Sequence, residues 1–479
     1  MTNNWKVEDI LDSTRQKVVV QGIGFVGTAM IAALSQAKNQ DNKLLYDVIG
    51  VDLPGKKSLE KINKINMGIS PIVSTDRALD KAFLKANEKG NVFATTDESI
   101  YKEADVIVID INLDIKKLEF GNSKSYQFSY INYMKAIDSI SNFVSENTLI
   151  LVESTVPPGT TEKVIYPRLL RKLAERNINP AKVQLAHSYE RVMPGSKYLD
   201  SIINYYRVFS GVNEISKIIA EKFLKSFINT EKYPLRKLQN TTASEMSKVL
   251  ENSYRAVNIA FIQEWTDFAE IAGVDLFEII EAIRDRSTHK NIMAPGLGVG
   301  GYCLTKDALL ADYGYNEIFG SPKRLEMSLE AVNINDLMPA HTFTRIKREI
   351  GELGNLEVGI LGVSYLNDVG DTRFTPTGLL YDLLIESVNS ILLFDPYISL
   401  WEEKQIAVIT DMSAGSTLIS LLIFAVKHSE FKDLSTASII SLFPSLKYVV
   451  DANNVLKIET IKRLRDEGIV VLSLGRGIV

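Results

Sequence analysis

Cysteine occurs once in 479 residues, at Cys303. A single thiol excludes an intramolecular disulfide, which fits a reducing, cytoplasmic setting. Positive charge is not in excess either: 54 Lys and Arg stand against 59 Asp and Glu, a net charge of −5. A nucleic-acid or membrane-surface partner would want a basic surplus, so neither is expected. Tracts of Gln, Ser or Pro are absent, and 46% hydrophobic with 24% charged residues is an ordinary globular composition. No apolar run reaches the ~20 residues that a bilayer span needs; the nearest, 18–34, carries Gln21 and three glycines. The opening stretch MTNNWKVEDILDSTRQK is polar and charged, so no signal peptide is read there. There is no short-period repeat, and no metal is expected.

What the chain does have is a rhythm of short apolar runs. Residues 17–21 (KVVVQ), 44–52 (LLYDVIGVD), 104–111 (ADVIVIDI), 148–154 (TLILVES), 183–187 (VQLAH) and 205–211 (YYRVFSG) are bounded by turns or helical patterns. Runs without a polar face predict parallel strands covered on both sides, hence a doubly wound α/β domain. From Thr242 to Gly273 the period turns helical: Met246, Val249, Leu250, Val257, Phe261, Trp265 and Phe268 recur at three- and four-residue steps, and Gly273 supplies the stop. A second long helix is predicted over 323–349. Strand-like runs return at 356–362, 390–395, 418–426, 448–451 and 469–474, predicting a second, smaller α/β domain. The expected division is 1–212, 213–350 and 351–479, with the helical middle a spine of the kind that dimerises.

Gly22, Gly24 and Gly27 form G-x-G-x-x-G directly after the first predicted strand, and Asp52 ends the next. In that context the first glycine allows a tight turn and the second lets a pyrophosphate approach the backbone. The third lets helix pack on strand, and the helix N-terminus offers free N–H groups. An acid at Asp52 would hold the adenosine ribose diol and repel a 2′-phosphate, which favours NAD over NADP, although Lys56 and Lys57 follow closely. The plainer alternative is a glycine-rich packing turn. Motif, strand, helix and terminal acid together favour a dinucleotide site in an N-terminal Rossmann-like domain.

A lone free cysteine is most often a small buried hydrophobe. Around Cys303, however, glycines at 296, 298, 300 and 301 permit close approach to a ligand, and Lys306 with Asp307 put charge near the sulfur. A thiolate there would be a strong nucleophile. Lys248 and Asn252 stand four residues apart and so share a helix face; they suit an oxyanion clamp or simply a solvated face. Thr155 in ESTVPPGTT and Glu190 in YERVMPG both follow predicted strands, at the sheet edge where ligands bind. A capped turn and an ion-paired carboxylate are their bland readings.

These residues resemble the nucleotide-sugar 6-dehydrogenases, the family of UDP-glucose and GDP-mannose dehydrogenases. The likeness runs nearly end to end through GIGFVG, ESTVPPGTTE, ERVMPG, SKVLENSYRAVNIAF, PGLGVGGYCLTKD, VNINDLMP, DTRFTP, FDPY, HSEF and VDANNVL, in the family's order. The resemblance implies an N-terminal Rossmann-like NAD-binding domain, a long-helix dimerising centre and a smaller C-terminal α/β domain that binds UDP-sugar, assembled as a homodimer or higher homo-oligomer. It implies oxidation of a sugar's C6 alcohol to the carboxylate by two NAD⁺, through a Cys303 thiohemiacetal and thioester. The sugar would be glucose or an N-acetylhexosamine. Carried over by motif, Lys248 and Asn252 would stabilise an oxyanion, Thr155 and Asp307 would hold a water, and Glu190 would assist thioester hydrolysis. Gly22, Gly24, Phe25, Val26, Gly27, Asp52, Thr155, Lys306 and Arg373 would meet the cofactor. Glu190, Arg191, Lys248, Asn252, Gly296, Gly298, Gly300, Gly301 and Tyr365 would meet the sugar nucleotide.

The chain departs from the family pattern in three places. Leu366 follows Tyr365 where the family usually has lysine, Asn453 replaces a basic residue, and IDINLDI (109–115) replaces a proline–threonine stretch. Pro194 in ERVMPG matches the acetamido-sugar branch, while CLTKD is nearer the glucose type. Two alternatives stay open at this point. One is a two-electron 3-hydroxyacid-type dehydrogenase, which needs no cysteine, and the other is a catalytically lapsed nucleotide-sugar-binding protein.

Overall fold

The computed structural model describes residues 10, 12–72, 74–119, 121–192, 195–414 and 416–477. Pro194 lies outside them. The chain packs as two compact units: residues up to 116 with 127–250 and 310–324, and residues 117–126 with 251–309 and 325 onward.

The first unit is built on β1 (Gln16–Gln21), β2 (Tyr46–Val51), β3 (Val92–Thr95) and β4 (Val106–Ile109). A short hairpin, β5 (Ile115–Lys117) and β6 (Tyr126–Phe128), follows. Then come β7 (Leu149–Val152), β8 (Gln184–His187), β9 (Val208–Gly211) and β10 (Arg236–Lys237). The eight-stranded sheet runs β10-β9-β8-β7-β4-β1-β2-β3. Successive strand residues enter opposite cores. Val18, Val20, Val108 and Leu151 pack on one face, and Val19, Ile107, Ile109, Ile150 and Val152 on the other, which is why these runs carry no polar side.

One expectation is corrected here: β9 lies antiparallel to β8, so the six runs do not form a wholly parallel sheet. A parallel return needs a crossover element, and among the described residues between the two strands there is only the one-turn helix Asp200–Ile203. Strands β3 and β10 have no counterpart among the predicted runs. β3 (VFAT) and β10 (RK) lack the continuous apolar run that marks the other short strands of this sheet.

Helix α1 (Phe25–Ser35) follows β1. Helix α2 (Thr241–Ala272) matches the predicted helical period within a residue, and Gly273 ends it in the left-handed region at φ 71°. Helix α3 (Asp307–Tyr313) is short. Helix α4 (Glu326–Ile350) is the second long helix.

The second unit holds β11 (Glu357–Leu361), β12 (Ser390–Phe394), the small pair β13 (Leu400–Trp401) and β14 (Ile406–Ala407), then β15 (Leu421–Phe424), β16 (Tyr448–Asp451) and β17 (Val470–Ser473). Its five-stranded sheet is parallel in the order β12-β11-β15-β16-β17. Helix α5 (Ile458–Asp466) bridges the last two strands. Here too alternate residues, Val358 and Ile360 against Leu361 and Phe424, fill separate cores. No helix among the described residues is long and apolar enough to cross a membrane.

Candidate active site

In the first sheet the strand order reverses between β1 and β4, the position at which open α/β sheets bind ligands. Gly22 sits there at φ 98°, and a Cβ on it would stand 2.4 Å from the carbonyl of Asp110 at the end of β4. On Gly27 a Cβ would stand 1.9 Å from the Gly22 carbonyl, so α1 can rest on the turn only without it. Gly24 differs: nothing lies within 4 Å of its added Cβ. It leaves an open cradle at the N-terminus of α1, which has no side-chain cap. Phe25 and Val26 begin α1 half-buried, the Phe25 ring set edge-on to Tyr198. Asp52 follows β2, half-buried, with Lys61 Nζ 3.9 Å from its carboxylate. Lys56 and Lys57 are exposed. An uncapped helix start beside an open cradle, with an acid at the next strand end, fits a dinucleotide.

Behind that turn is a buried group of charges. Arg207 is ion-paired with Glu153 and both are fully buried. Burial, and then the Glu153 and Glu190 carboxylates, push the Asp110 carboxyl well above its ordinary range, with Arg207 opposing. Burial likewise raises Glu153 against the pull of Arg207. Glu190 accepts the Val192 N–H, while Lys248 Nζ donates to the Glu190 carbonyl at 3.0 Å and lies 3.5 Å from its carboxylate. Arg191 sits over the Tyr189 and Tyr205 rings.

Thr155, half-buried, follows β7, and the loop after it is held by Glu245. That carboxylate accepts the Gly159 and Thr161 N–H groups at 2.6 and 2.7 Å. Burial still outweighs these bonds and pushes Glu245 up to about 8. His187, buried against Ser244 at 2.8 Å, is driven by burial down to about 3 and stays neutral at physiological pH.

In the second unit Cys303 is exposed, and its carbonyl accepts the Asp307 N–H at 2.9 Å where α3 begins. Asp307 is almost fully buried. Its carboxylate accepts Asn252 Nδ2 at 2.6 Å on one oxygen and lies 3.2 Å from Lys306 Nζ on the other. Lys306 and Arg373 both approach the Tyr302 ring, at 4.4 and 5.8 Å from its centroid, and Arg373 forks onto Asp371. Burial pushes the Tyr365 hydroxyl up to about 12.

The glycines before Cys303 are met by the protein itself. Added Cβ atoms would stand 2.6 Å from Asn453 Oδ1 at Gly296 and 3.2 Å from the Asn335 carbonyl at Gly298. At Gly300 and Gly301 they would stand 2.7 and 2.6 Å from Tyr365. Asn453 also accepts the Leu297 N–H at 3.1 Å. The residue that replaces the family's cation is therefore a clamp on the glycine-rich loop.

Comparison with known proteins agrees with this geometry. Models of the UDP-glucose/GDP-mannose dehydrogenase family match in chain order: its NAD binding domain over 16–228, its central domain over 242–336 and its UDP binding domain over 359–458. The UDP-N-acetyl-D-mannosamine dehydrogenase of Methanococcus aeolicus is 30% identical over 456 residues, 93% of this chain and 94% of that one. The chain belongs to the UDP-glucose/GDP-mannose dehydrogenase family. A solved UDP-D-ManNAc dehydrogenase from Pyrococcus horikoshii superposes with a TM-score of 0.80 at 26% identity, covering 97% of this chain and 100% of that one. A UDP-glucose dehydrogenase from Pyrobaculum islandicum reaches 0.77 at 20% identity over 98% and 99%; that likeness is one of fold.

Membership makes the chain an NAD-dependent nucleotide-sugar dehydrogenase, and the Gly22 turn with Asp52 is the feature that fits NAD. Of the family-motif residues, the structure joins Glu190 to Lys248 and Asn252 to Asp307 and Lys306. It spends the Lys248 and Asn252 donors on separate acceptors, Glu190 and Asp307. Sequence reasoning missed Asp110, Glu153, Arg207 and Glu245. A signal existed for Arg207, a lone charge within an apolar strand run, and for Glu153, which opens the ESTVPPG motif. Nothing local marks Glu245, whose partners are more than 80 residues away.

Proposed function

We propose that this dehydrogenase oxidises the C6 alcohol of a UDP-N-acetylhexosamine, UDP-N-acetyl-D-mannosamine first among them, to the uronate through covalent adducts on Cys303. The observation that carries the reading is an exposed Cys303 one helical turn before Asp307, whose buried carboxylate holds one amide and one ammonium donor. Gly22, Gly24, Gly27 and Asp52 would hold NAD⁺, and each of the two oxidations at C6 would use one NAD⁺ as hydride acceptor. Asp307 and Thr155 hold the water that accepts the hydroxyl proton, and the resulting aldehyde is attacked by the Cys303 sulfur to give a thiohemiacetal. Lys248 and Asn252 stabilise the oxyanion, trading their present acceptors for it. Loss of a second hydride from C6, to a second NAD⁺, would leave a thioester, and Glu190 would assist water in cleaving it to carboxylate and free thiol. Two hydrides leave and one water enters per uronate.

We further assign Gly22, Gly24, Phe25, Val26, Gly27, Asp52, Thr155, Lys306 and Arg373 to the cofactor. Arg191, Tyr365 and the 296–301 backbone go to the sugar nucleotide. The functional division follows 1–212, 213–350 and 351–479. Relatives named for UDP-N-acetyl-D-mannosamine support the sugar.

The assembly is a homodimer through α2. Met246, Leu250, Tyr254, Phe261, Trp265, Phe268 and Ile271 recur along that helix and are all between 44% and 69% exposed, and an exposed apolar stripe of this kind supports a protein contact.

The test of the reaction is a panel of UDP-N-acetylmannosamine, UDP-N-acetylglucosamine, UDP-glucose and GDP-mannose, followed by NADH absorbance. UDP-N-acetylmannosamine should turn over at least tenfold more efficiently than the rest. Preference for UDP-glucose would overturn the sugar, and no turnover of any would overturn the reaction.

A further inference from the structure

The long helices α2 and α4 bring together, in the second unit, three groups that no step of the reaction uses. One ligand atom from each of Asp267, Glu270 and His341 lies within 4.8 Å of the others. Asp267 and Glu270 share a face of α2, and His341 stands on α4, so spacing along the chain gives no sign of the set. We propose that these three side chains are the ligands of a zinc-type divalent cation that clips α2 to α4.

A pair of unsatisfied atoms is the first argument. Glu270 is 8% exposed, and its Oε2 is buried without a hydrogen-bond partner among the described residues. His341 Nε2 is buried and lacks one in the same way, and the two atoms lie 3.5 Å apart. That separation exceeds the ~3.2 Å of a good N–H···O bond. It comes close to the ~3.4 Å between two ligands of a tetrahedral ion bound at ~2.0 to 2.1 Å. Two interior polar atoms left unmet are costly, and one cation satisfies both.

The second argument is how the carboxylate is held. Its other oxygen, Oε1, accepts the Gly475 N–H at 2.8 Å and lies 2.6 Å from Arg345 Nη1. Arg345 in turn donates to the Ser473 and Arg476 carbonyls at 2.7 and 2.9 Å. These bonds fix the carboxylate with Oε2 towards His341, as the groups behind a metal's own ligands do. They also carry the clip beyond the two helices to the end of β17.

Charge and donor type are the third. Against the two carboxylates stands Arg345, while Arg348 is paired with Glu349 and Arg476 with Asp275, each at 3.0 Å. With the imidazole neutral, as a ligand must be, one net negative charge remains to meet the ion. One imidazole and two carboxylates suit Zn²⁺ and leave a position for water. Asp267 and His341 are half-buried, which gives the ion a way in from solvent.

The test is calorimetric titration of the full-length, EDTA-treated protein with Zn²⁺, beside His341→Gln and Asp267→Asn. Neither residue has a part in the reaction, and Cys303 is present in all three proteins, so binding at the thiol cancels in the comparison. Wild type should bind one more equivalent of Zn²⁺ per chain than His341→Gln, and Asp267→Asn should hold that equivalent at least tenfold more weakly. Zn²⁺ should also raise the melting temperature of wild type more than that of either variant, because a ligand of the folded state stabilises it. Asp267→Asn keeps its shape at a half-buried position, so a folding failure of His341→Gln leaves the comparison intact. Isotherms of either variant that coincide with wild type would overturn the site, and a proton on His341 would then be what joins it to Glu270.

Discussion

The thiol of Cys303 is open to solvent, while Asp307 one turn on is buried with Asn252 and Lys306 on its oxygens. Replacing that sulfur separates chemistry from binding. Cys303→Ser should lower uronate formation on the order of a thousandfold and leave NAD⁺ affinity unchanged, read by NADH production and by cofactor fluorescence titration. A parallel fall in NAD⁺ affinity would count against the covalent role. Glu245 permits a pH experiment. Its carboxyl stands at about 8 in the fold, above the value it would have in the unfolded chain. The folded state thus holds a proton that the unfolded state has already released, and stability should fall as pH rises from about 4.5 to about 8, by at most ~1.4 kcal/mol per pH unit. Glu245→Gln has no proton to lose. Urea midpoints of that variant should be lower at acid pH and fall less steeply than wild type across the same window, the remaining slope belonging to Asp110 and Glu153, and a slope equal to that of wild type would refute the assignment.

At the scale of elements, the β1–α1 turn and the face of α2 make distinct claims. The carbonyl of Gly22 leaves no room for a Cβ at Gly27, whereas Gly24 faces open space. Gly24→Ala should therefore keep the melting temperature and weaken NAD⁺ binding alone. Gly27→Ala should lower both, because α1 must withdraw from β1. The apolar stripe on α2 predicts that Phe261→Asp with Phe268→Asp turns a dimer into a monomer in sedimentation equilibrium, since a buried unpaired charge on each helix costs several kcal/mol at such an interface. A dimer that survives the double substitution would place the contact elsewhere.

For the molecule as a whole, the covalent reading sets a stoichiometry. Two NADH should appear per uronate, and no free aldehyde should be captured when semicarbazide is present during turnover. One NADH per product would return the protein to the two-electron class.

Local patterning was enough to locate most strands of the two large sheets and the two longest helices. Short apolar runs bounded by turns read as strands buried on both faces, and the three- and four-residue recurrence from Met246 to Phe268 reads as a long helix, because side-chain direction along a chain repeats with fixed periods. The glycine turn after β1 and the neighbourhood of Cys303 were legible for the same reason, since their chemistry lies within a dozen consecutive residues. Tertiary structure alone decided the antiparallel setting of β9, the Asp110–Glu153–Arg207 group, the hold of Glu245 on the 159–161 loop and the reach of Asn453 to Leu297. Each joins residues far apart in the chain, and which distant side chains meet depends on strand order and register, which no local period encodes.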